Sequence, residues 1–165
     1  MRLPKALTLC LAPLPLGLVQ VPSALLFRRV LARHPRLFDR LGEHARKRFG
    51  FVPTDLPFAY EVLPSGPSIQ VVRPHALLRA DATISGPIVL LLALLEGRVD
   101  GDALFFARQL EISGDTEAIL ALRNALDDCD LDLPRAVGDL AGPLALPVQR
   151  GCELLRDRVL LRGRA

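Results

Sequence analysis

The side chains that could bind a metal are scattered through this sequence of 165 residues. His34 and His44 lie in basic stretches, and His75 follows a proline in a predicted turn. A protein metal site gathers several such ligands at close range. Because these histidines would have to converge from unrelated parts of the fold, we interpret them as surface residues and predict no metal site.

The carboxylates give no catalytic pattern. The acidic run at 127–132 lacks the glycine and the distal glutamate of a calcium loop, so we interpret it as a solvated loop. Asp100 and Asp102 flank Gly101 in a predicted turn, where no neighbour supplies a nucleophile or an electrophile. Gly-x-Ser-x-Gly, phosphate-binding glycine loops and His-Glu-x-x-His are absent from the sequence. We therefore predict a protein without catalytic residues or cofactors.

The cysteines indicate a reducing compartment. Cys10, Cys129 and Cys152 are odd in number, far apart and without any Cys-x-x-Cys pairing. This pattern favours neither a disulfide framework nor a zinc site. We expect a cytoplasmic protein.

Charge divides the chain into three parts. Residues 1–57 carry 10 Lys/Arg and 3 Asp/Glu (net +7), residues 58–132 carry 5 and 12 (net −7), and residues 133–165 carry 6 and 3 (net +3). Half of all residues are hydrophobic and only 5% are aromatic, so the apolar content is mostly aliphatic. An aliphatic excess indicates a lipid cavity, a membrane-facing segment or a compositional bias towards Leu and Ala. We predict a basic helical flank over 1–50, a domain over 51–132 and a basic, apolar helical flank over 133–165.

Basic and apolar flanks are typical of segments that lie on anionic membranes. Nucleic acid is the other usual partner of basic tails, but the few aromatic residues are not interleaved with the arginines, and we expect none. The C-terminal flank could equally be a structural helix that docks on the N-terminal helices.

The N-terminal flank is apolar enough over residues 6–27 to be a signal peptide or a single membrane span. Three prolines divide it, and arginines follow at once, so we favour a broken amphipathic segment that packs on the domain or lies on a membrane. We predict one helix from Ser23 to about Ala32 and a second from about Phe38 that ends before Gly50. The predicted membrane-contact residues are Leu25, Leu26, Phe27, Arg28, Arg29, Arg33 and Arg36.

The central part has the pattern of an α+β fold. Residues 58–63 and 68–72 flank a Pro-Ser-Gly-Pro turn and predict a hairpin, after a linker at 52–57. Residues 77–85 and 109–113 predict two further strands. Three or four strands with helices between them predict a mixed sheet that carries its helices on one face.

Two helices are predicted within this domain. Residues 88–95 are apolar on every side, with Ser85 as a predicted cap, Pro87 in the first turn and Gly97 at the end. Asp115 starts the second helix. Its apolar face consists of Ile119, Leu122 and Leu126.

Two stretches carry a resemblance to a known family. Asp81-Ala-Thr-Ile-Ser-Gly86 and Gly101-Asp-Ala-Leu-Phe-Phe-Ala-Arg-Gln-Leu-Glu-Ile-Ser-Gly-Asp-Thr-Glu117 resemble the sterol carrier protein type 2 domain. More narrowly, they are similar to the UbiT family of bacterial accessory factors in anaerobic ubiquinone biosynthesis. The resemblance covers residues 55–130 best, and Arg108 departs from it, since many sterol carrier domains have a small residue there. It implies that the sheet and helices enclose an apolar tunnel. The predicted lipid-binding residues are Phe58, Ile69, Val71, Ile84, Ile88, Leu91, Leu92, Leu95, Phe105, Phe106, Ile112, Ile119, Leu122 and Leu126.

The resemblance also implies a function. A non-catalytic carrier at the inner face of the membrane would bind isoprenoid quinone precursors or phospholipid. It would present the precursors to iron–sulfur hydroxylase subunits related to the U32 peptidases, which would hold the cofactors. The alternatives are a scaffold with a filled core and no lipid, with homodimerisation open, and a general phospholipid or sterol carrier. A third hypothesis, an enzyme acting on a lipid head group, would need a pocket carboxylate or histidine with a perturbed pKa.

Overall fold

The computed structural model describes residues 15–97, 108–127, 129 and 131. The strands are β1 Phe49–Pro53, β2 Ala59–Leu63, β3 Ser68–Val72, β4 Ala82–Gly86 and β5 Glu111–Gly114. The helices are α1 Leu16–Arg33, α2 Ile88–Leu95 and α3 Thr116–Asp127, and short 3-10 helices span Asp39–Arg46 and Pro74–Arg79. Predictions for residues 1–14, 98–107 and 132–165, including the C-terminal flank, lie outside the described residues.

The five strands form one mixed sheet in the order β3-β2-β1-β4-β5. β1 pairs parallel with β4, and all other neighbours are antiparallel. The α+β class and the hairpin of β2 and β3 are confirmed. β1 was not predicted, because Gly50 and Pro53 gave this central strand the composition of a helix end and a linker. The domain boundary predicted between residues 50 and 51 falls inside β1, and the division into a domain and two flanks stays a prediction.

The third predicted strand is wrong in its first half. Residues 74–79 form a 3-10 helix and β4 begins only at Ala82. Pro74 explains the difference, since it has no N–H to give to a sheet and starts a helical turn readily. The second predicted helix is also replaced by a 3-10 helix, which Gly42 interrupts with a φ of 53°.

One face of the sheet is apolar, and the other carries both polar and apolar side chains. The register places Phe51 opposite Ile84 on β4 and opposite Tyr60 on β2, so these three side chains share a face. The apolar face consists of Phe49, Phe51, Tyr60, Val62, Ile69, Val71, Ala82, Ile84 and Ile112. The opposite face carries Gly50, Glu61, Gln70, Thr83 and Ser113.

α2 and α3 cover the apolar face over β1 and β4. The face of α3 predicted from its periodicity is buried, as expected. α2 buries Leu90, Leu91, Ala93 and Leu94, and it exposes Leu92. The core residues of the two helices are Leu90, Leu91, Leu94, Ala118, Ile119, Leu122, Ala125 and Leu126. Burial of each leucine or isoleucine contributes about 1.5–3 kcal/mol. Helices on one face of the sheet are therefore confirmed.

The N-terminus of α2 is capped by a residue that is distant in sequence. The prediction that Ser85 caps this helix is wrong, because Ser85 lies within β4, opposite Val52 and Glu111. The buried Asp55 instead accepts a hydrogen bond from the backbone N–H of Ile88 at 2.9 Å, which places a carboxylate at the helix N-terminus. The predicted end at Gly97 is confirmed, with a left-handed φ of 62°.

The first helix lies along the open edge of β3. The side-chain amide of Gln20 donates to the carbonyl oxygen of Ile69 at 2.9 Å, and its oxygen accepts from the N–H of Val71 at 2.7 Å. Gln20 thus occupies the place of a peptide group in an additional strand. Next to it, Ser23 shares a hydrogen bond with Tyr60, whose pKa is raised by burial.

α1 begins earlier than predicted and continues through Pro22. An interior proline removes the hydrogen bond to the carbonyl four residues before it, here Leu18. Pro22 and Leu18 are both exposed, so water can solvate that carbonyl. Further along, the ring of Phe27 packs 6.2 Å from that of Phe38 and joins the helix to the core.

The joint between β5 and α3 explains the Ile-Ser-Gly-Asp motif. Gly114 has a φ of 81°, and a Cβ there would lie 2.3 Å from the carbonyl oxygen of Asp81. That same oxygen accepts the N–H of Asp115 at 2.9 Å. The carboxylate of Asp115 then caps α3 by accepting the N–H of Ala118 at 2.9 Å, and it also pairs with the ammonium of Lys47. This side chain therefore ties α3 to the segment that precedes β1.

We expect Gln20→Leu to weaken the edge of the sheet. The substitution leaves the Ile69 carbonyl and the Val71 N–H without their partner, which costs about 1–3 kcal/mol of unfolding free energy. Urea denaturation and hydrogen exchange at the Val71 amide measure both effects. Gln70→Leu, on the exposed face of β3, is the matched control. Unchanged protection of Val71 in the Gln20 variant would contradict the edge role.

We expect stability to fall in acid through Asp115. The hydrogen bond from Lys47, followed by that from the Ala118 N–H, holds the pKa of Asp115 below its ordinary value of 3.8. The stabilisation is complete above the unfolded-state pKa of about 4 and is lost as the pH falls through the lower folded pKa. Asp115→Asn should reduce the acid slope of urea stability between about pH 5 and about pH 2. The exposed Asp39→Asn is the control, and equal slopes in the wild type and the Asp115 variant would refute the assignment.

Candidate lipid-binding site

An apolar groove lies between the sheet and the two helices that cover it. Its lining residues are Phe51, Ile84, Leu94, Leu95, Ile119, Leu122, Arg123 and Leu126. Seven of these eight are hydrophobic, and the charged one is Arg123. A groove of this composition can take an apolar chain, because such sites need hydrophobic walls and few polar anchors.

Sheet register and helix period bring these side chains together. Phe51 and Ile84 are direct neighbours in the parallel pair of β1 and β4, and they form the floor. Ile119, Leu122 and Leu126 follow one another at the spacing of a single helix face. Leu94 and Leu95 come from the last turn of α2 and complete the wall opposite α3.

The enclosed part of the groove is small. Its volume is about 10 Å³, roughly the space for one water molecule. Ligand pockets have volumes of about 300 Å³ or more, so this site is far smaller than an open pocket. The groove is therefore nearly closed in this structure and opens to solvent at its mouth.

The predicted lipid-binding residues fall into separate groups. Those that line the groove are Ile84, Leu95, Ile119, Leu122 and Leu126. Leu91 is buried in the core, Ile112 pairs with Ile84 on the sheet, Ile88 is half-buried and Leu92 is 41% exposed. Phe58, Ile69 and Val71 lie at the β2–β3 end of the sheet, where α1 packs. Phe105 and Phe106 lie outside the described residues, and a role of all these residues in binding lipid stays a prediction.

Three lining residues were missed. Phe51 was assigned to no element, because it lay between the predicted second helix and the linker at 52–57, although the Phe49-Gly50-Phe51 alternation was a signal for a strand. Leu94 could not be chosen, because a helix that is apolar on every side has no periodicity to point out its inner face. Arg123 was missed because a charge inside an apolar periodic pattern is usually assigned to the solvent side.

The predicted membrane-contact residues lie on different sides of α1 and the turn after it. Leu25, Arg28, Arg29, Arg33 and Arg36 are exposed, whereas Leu26 and Phe27 are half-buried. The outer face of α1 also presents Leu18 and Val21, which are 64% and 61% exposed. Leu18, Val21 and Leu25 therefore form one apolar stripe, here called the α1 stripe, with Arg28 and Arg29 one turn further on.

The three histidines lie in separate elements: at the end of α1, in the first 3-10 helix and in the second. Across residues 15–97, 108–127, 129 and 131, no three His, Cys, Asp or Glu side chains come close enough together to hold a metal ion. None of the helices described in those ranges is both long and apolar enough to cross a bilayer.

Comparison with known families decides the class of this fold. The profile of the SCP-2 sterol transfer family matches residues 27–127, which include all five strands and the groove. The chain belongs to this family. SCP-2 family proteins are lipid carriers and accessory proteins. Both the recognition and the fold predicted from the two stretches are confirmed.

Several solved structures resemble this one, and the first named here shares its fold. A UbiJ-SCP2 ubiquinone synthesis protein superposes with a TM-score of 0.57 and 22% identity, over 72% of this chain and 98% of that one. Apo sterol carrier protein 2 from Yarrowia lipolytica gives 0.48 and 14%, over 65% and 88%. Sterol carrier protein domain 2 of Helicoverpa armigera gives 0.46 and 15%, over 65% and 89%. No curated protein sequence matches the chain.

Proposed function

We propose that this protein is a non-catalytic carrier that binds the isoprenoid tail of ubiquinone precursors in the groove between its sheet and α2 and α3. The observation that carries the proposal is the groove itself, with its hydrophobic floor and walls, in a chain of the SCP-2 family. Each buried CH₂ of a tail contributes about 0.8 kcal/mol, so a polyprenyl chain can bind tightly without a catalytic site. The similarity of residues 81–86 and 101–117 to the UbiT family supports the choice of precursor.

The proposed partners follow from the same similarity. The carrier would present prenylated rings to iron–sulfur hydroxylase subunits related to the U32 peptidases, in an oxygen-independent pathway. Those subunits would supply the cofactors. The head of the bound precursor must then stay near the groove mouth, where a second protein can reach it.

The proposed place of action is the inner face of the membrane, where prenylated precursors dissolve. The α1 stripe and the arginines beside it support this location, because exposed leucines and cations together favour an anionic lipid surface. Each Lys or Arg near such a surface contributes about 1 kcal/mol. α1 lies on the β3 edge, so membrane contact through its outer face leaves the groove side of the sheet uncovered.

One observation favours a second candidate, a scaffold with a filled core. The enclosed volume of about 10 Å³ is too small for a lipid tail without movement of α2 or α3. A carrier closes in this way when empty, whereas a scaffold stays closed. Lipid content therefore separates the two functions.

We expect Leu95→Trp to remove bound lipid. Leu95 lines the groove and is half-buried, so the larger ring fills the mouth without entering the centre of the core. A steric cost of about 1–3 kcal/mol in the lipid-bound state corresponds to a loss of about fivefold to about 150-fold in affinity. Native mass spectrometry with lipid extraction on the 165-residue protein, loaded with a prenylated phenol, measures the occupancy. Leu92→Trp, on the exposed side of the same helix, is the control. No lipid in the wild type would favour the scaffold.

We expect the double variant Arg28→Glu and Arg29→Glu to bind anionic vesicles at least about tenfold more weakly, since it reverses attraction at two positions. Sedimentation with phosphatidylglycerol vesicles measures the binding. Arg46→Glu with Arg108→Glu changes the net charge equally at exposed positions away from α1 and is the matched control. Equal loss in both pairs would show that total charge, rather than the α1 surface, drives the association.

A further inference from the structure

We propose that the open edge of β3 is a self-pairing surface, through which two copies of this chain join their sheets, and that α1 covers this edge until it moves to a membrane. The surface itself is independent of lipid carriage. Only its trigger rests on the proposed function, because the trigger uses the membrane contact of α1.

The groups that α1 covers are backbone groups. The side-chain amide of Gln20 bonds the carbonyl oxygen of Ile69 at 2.9 Å and the N–H of Val71 at 2.7 Å. Because the N–H and C=O of one residue point to the same side of a strand, Ile69 and Val71 each present both groups at this edge. A neighbouring strand would bond the same groups, so Gln20 occupies the place of a peptide backbone.

The edge is complementary to a second copy of itself. Ile69 and Val71 lie on either side of Gln70, whose own backbone groups point towards β2. In an antiparallel pair with Gln70 opposite Gln70 of the second copy, Ile69 of each chain lies opposite Val71 of the other. These residues then exchange both of their backbone hydrogen bonds. A two-fold axis at Gln70 therefore replaces the hydrogen bonds of Gln20 without any change of register.

The side chains of β3 also favour pairing. Residues 68–72 read Ser-Ile-Gln-Val-Val, without a charge or a proline and with three β-branched residues. Natural edge strands usually carry a charge or a proline, or are short or distorted, which prevents such pairing. The other edge strand, β5, is shorter, begins at Glu111 and ends at Gly114 with a left-handed φ. In the proposed pair, Ile69 packs beside Val71 of the second copy, a favourable β-branched contact.

α1 lies on this edge without burying any of its residues. Pro22 removes the backbone hydrogen bond to Leu18, and it separates the half of the helix that carries Gln20 from the half in which Phe27 packs against Phe38. The first half can therefore leave β3 when the α1 stripe enters a lipid surface, while Phe27 keeps the helix attached to the core.

Removal of the Gln20 amide tests the surface in solution. We expect Gln20→Leu to lower the dissociation constant of the dimer at least about tenfold, because α1 no longer competes for the edge. Sedimentation velocity over a range of protein concentrations measures the association. Hydrogen exchange at the Val71 amide should slow as the concentration of this variant rises, since the second copy restores the lost hydrogen bond.

Two further substitutions locate the association. Gln70→Glu, added to Gln20→Leu, should reverse the gain, because like charges then face each other across the axis. Ser113→Glu, added to the same variant, is the matched control. It places the same charge at an exposed position on the same face of the sheet, but on β5, and should leave the association unchanged.

Gln70→Cys in the full chain tests the membrane trigger. Opposed residues at a non-hydrogen-bonded position have Cα atoms about 4.5 Å apart, within the range of a disulfide. With phosphatidylglycerol vesicles and an oxidant, we expect a dimer cross-linked at position 70, and several-fold less without vesicles. Mass spectrometry of the linked peptides distinguishes this bond from bonds of the native cysteines. Ser113→Cys is the control.

The outcomes separate the surface, its trigger and the proposed function. Gln20→Leu that stays monomeric at every concentration, or association that survives Gln70→Glu, overturns the self-pairing surface. If Gln20→Leu does not fold, Gln20→Glu decides, because its carboxylate keeps the shape of the amide but cannot donate to Ile69; unchanged association of this variant also overturns the surface. Equal cross-linking with and without vesicles overturns the trigger. Failure of the wild type to bind vesicles overturns the proposed place of action together with the trigger, and dimerisation of Gln20→Leu still supports the surface.

Discussion

The structure depends on a sheet with one apolar face, which must be removed from water by helices from the same chain. Phe51 and Ile84 meet at the centre of that face, in the parallel pair of β1 and β4. A parallel pair requires a long crossover, and the crossover here contains the β2–β3 hairpin. The hairpin therefore extends the sheet from one edge of β1, and β4 and β5 extend it from the other edge. α2 and α3 pack over β1 and β4 and form the groove with them. The groove lies where the largest apolar residues of the sheet meet two short helices.

The two edge strands of the sheet, β3 and β5, are covered in different ways. At β3, the side chain of Gln20 takes the part of a further strand, so α1 can lie along the edge without burying unpaired backbone groups. At β5, the chain turns back at once into α3. Gly114 permits the close approach to Asp81, and Asp115 both caps the helix and pairs with Lys47. This turn lies within one of the two stretches that carry the family resemblance, and its geometry admits few alternatives. Arg108 departs from the pattern at a φ of 52°, in the left-handed region where glycine costs least.

The sequence predicted what depends on local pattern. The hairpin, the buried face of α3 and the glycine that ends α2 follow from alternation, helical period and backbone freedom, and all are present. It could not predict pairings that only tertiary structure creates. β1 contains Gly50 and Pro53 and becomes a strand because β2 and β4 flank it. The cap of α2 comes from Asp55, which lies 33 residues before Ile88. Of the predicted lipid-binding residues, the α3 face, Ile84 and Leu95 line the groove, and their role in binding lipid stays a prediction. The position of Leu94, like the exposure of Leu92, is fixed only by how α2 is oriented on the sheet.

A scaffold with a filled core and a lipid carrier can share the same packed sheet and helices. They differ at the residues that border the groove. Desolvation of a cation opposes folding unless the cation is paired. Arg123 lies in the wall of the groove with its side chain only 19% exposed, and it pairs with Asp127. α2 above the groove is eight residues long, is apolar throughout and is tied at its start through Asp55. Leu94 and Leu95 stand at the other end of this helix, where they close the groove against α3.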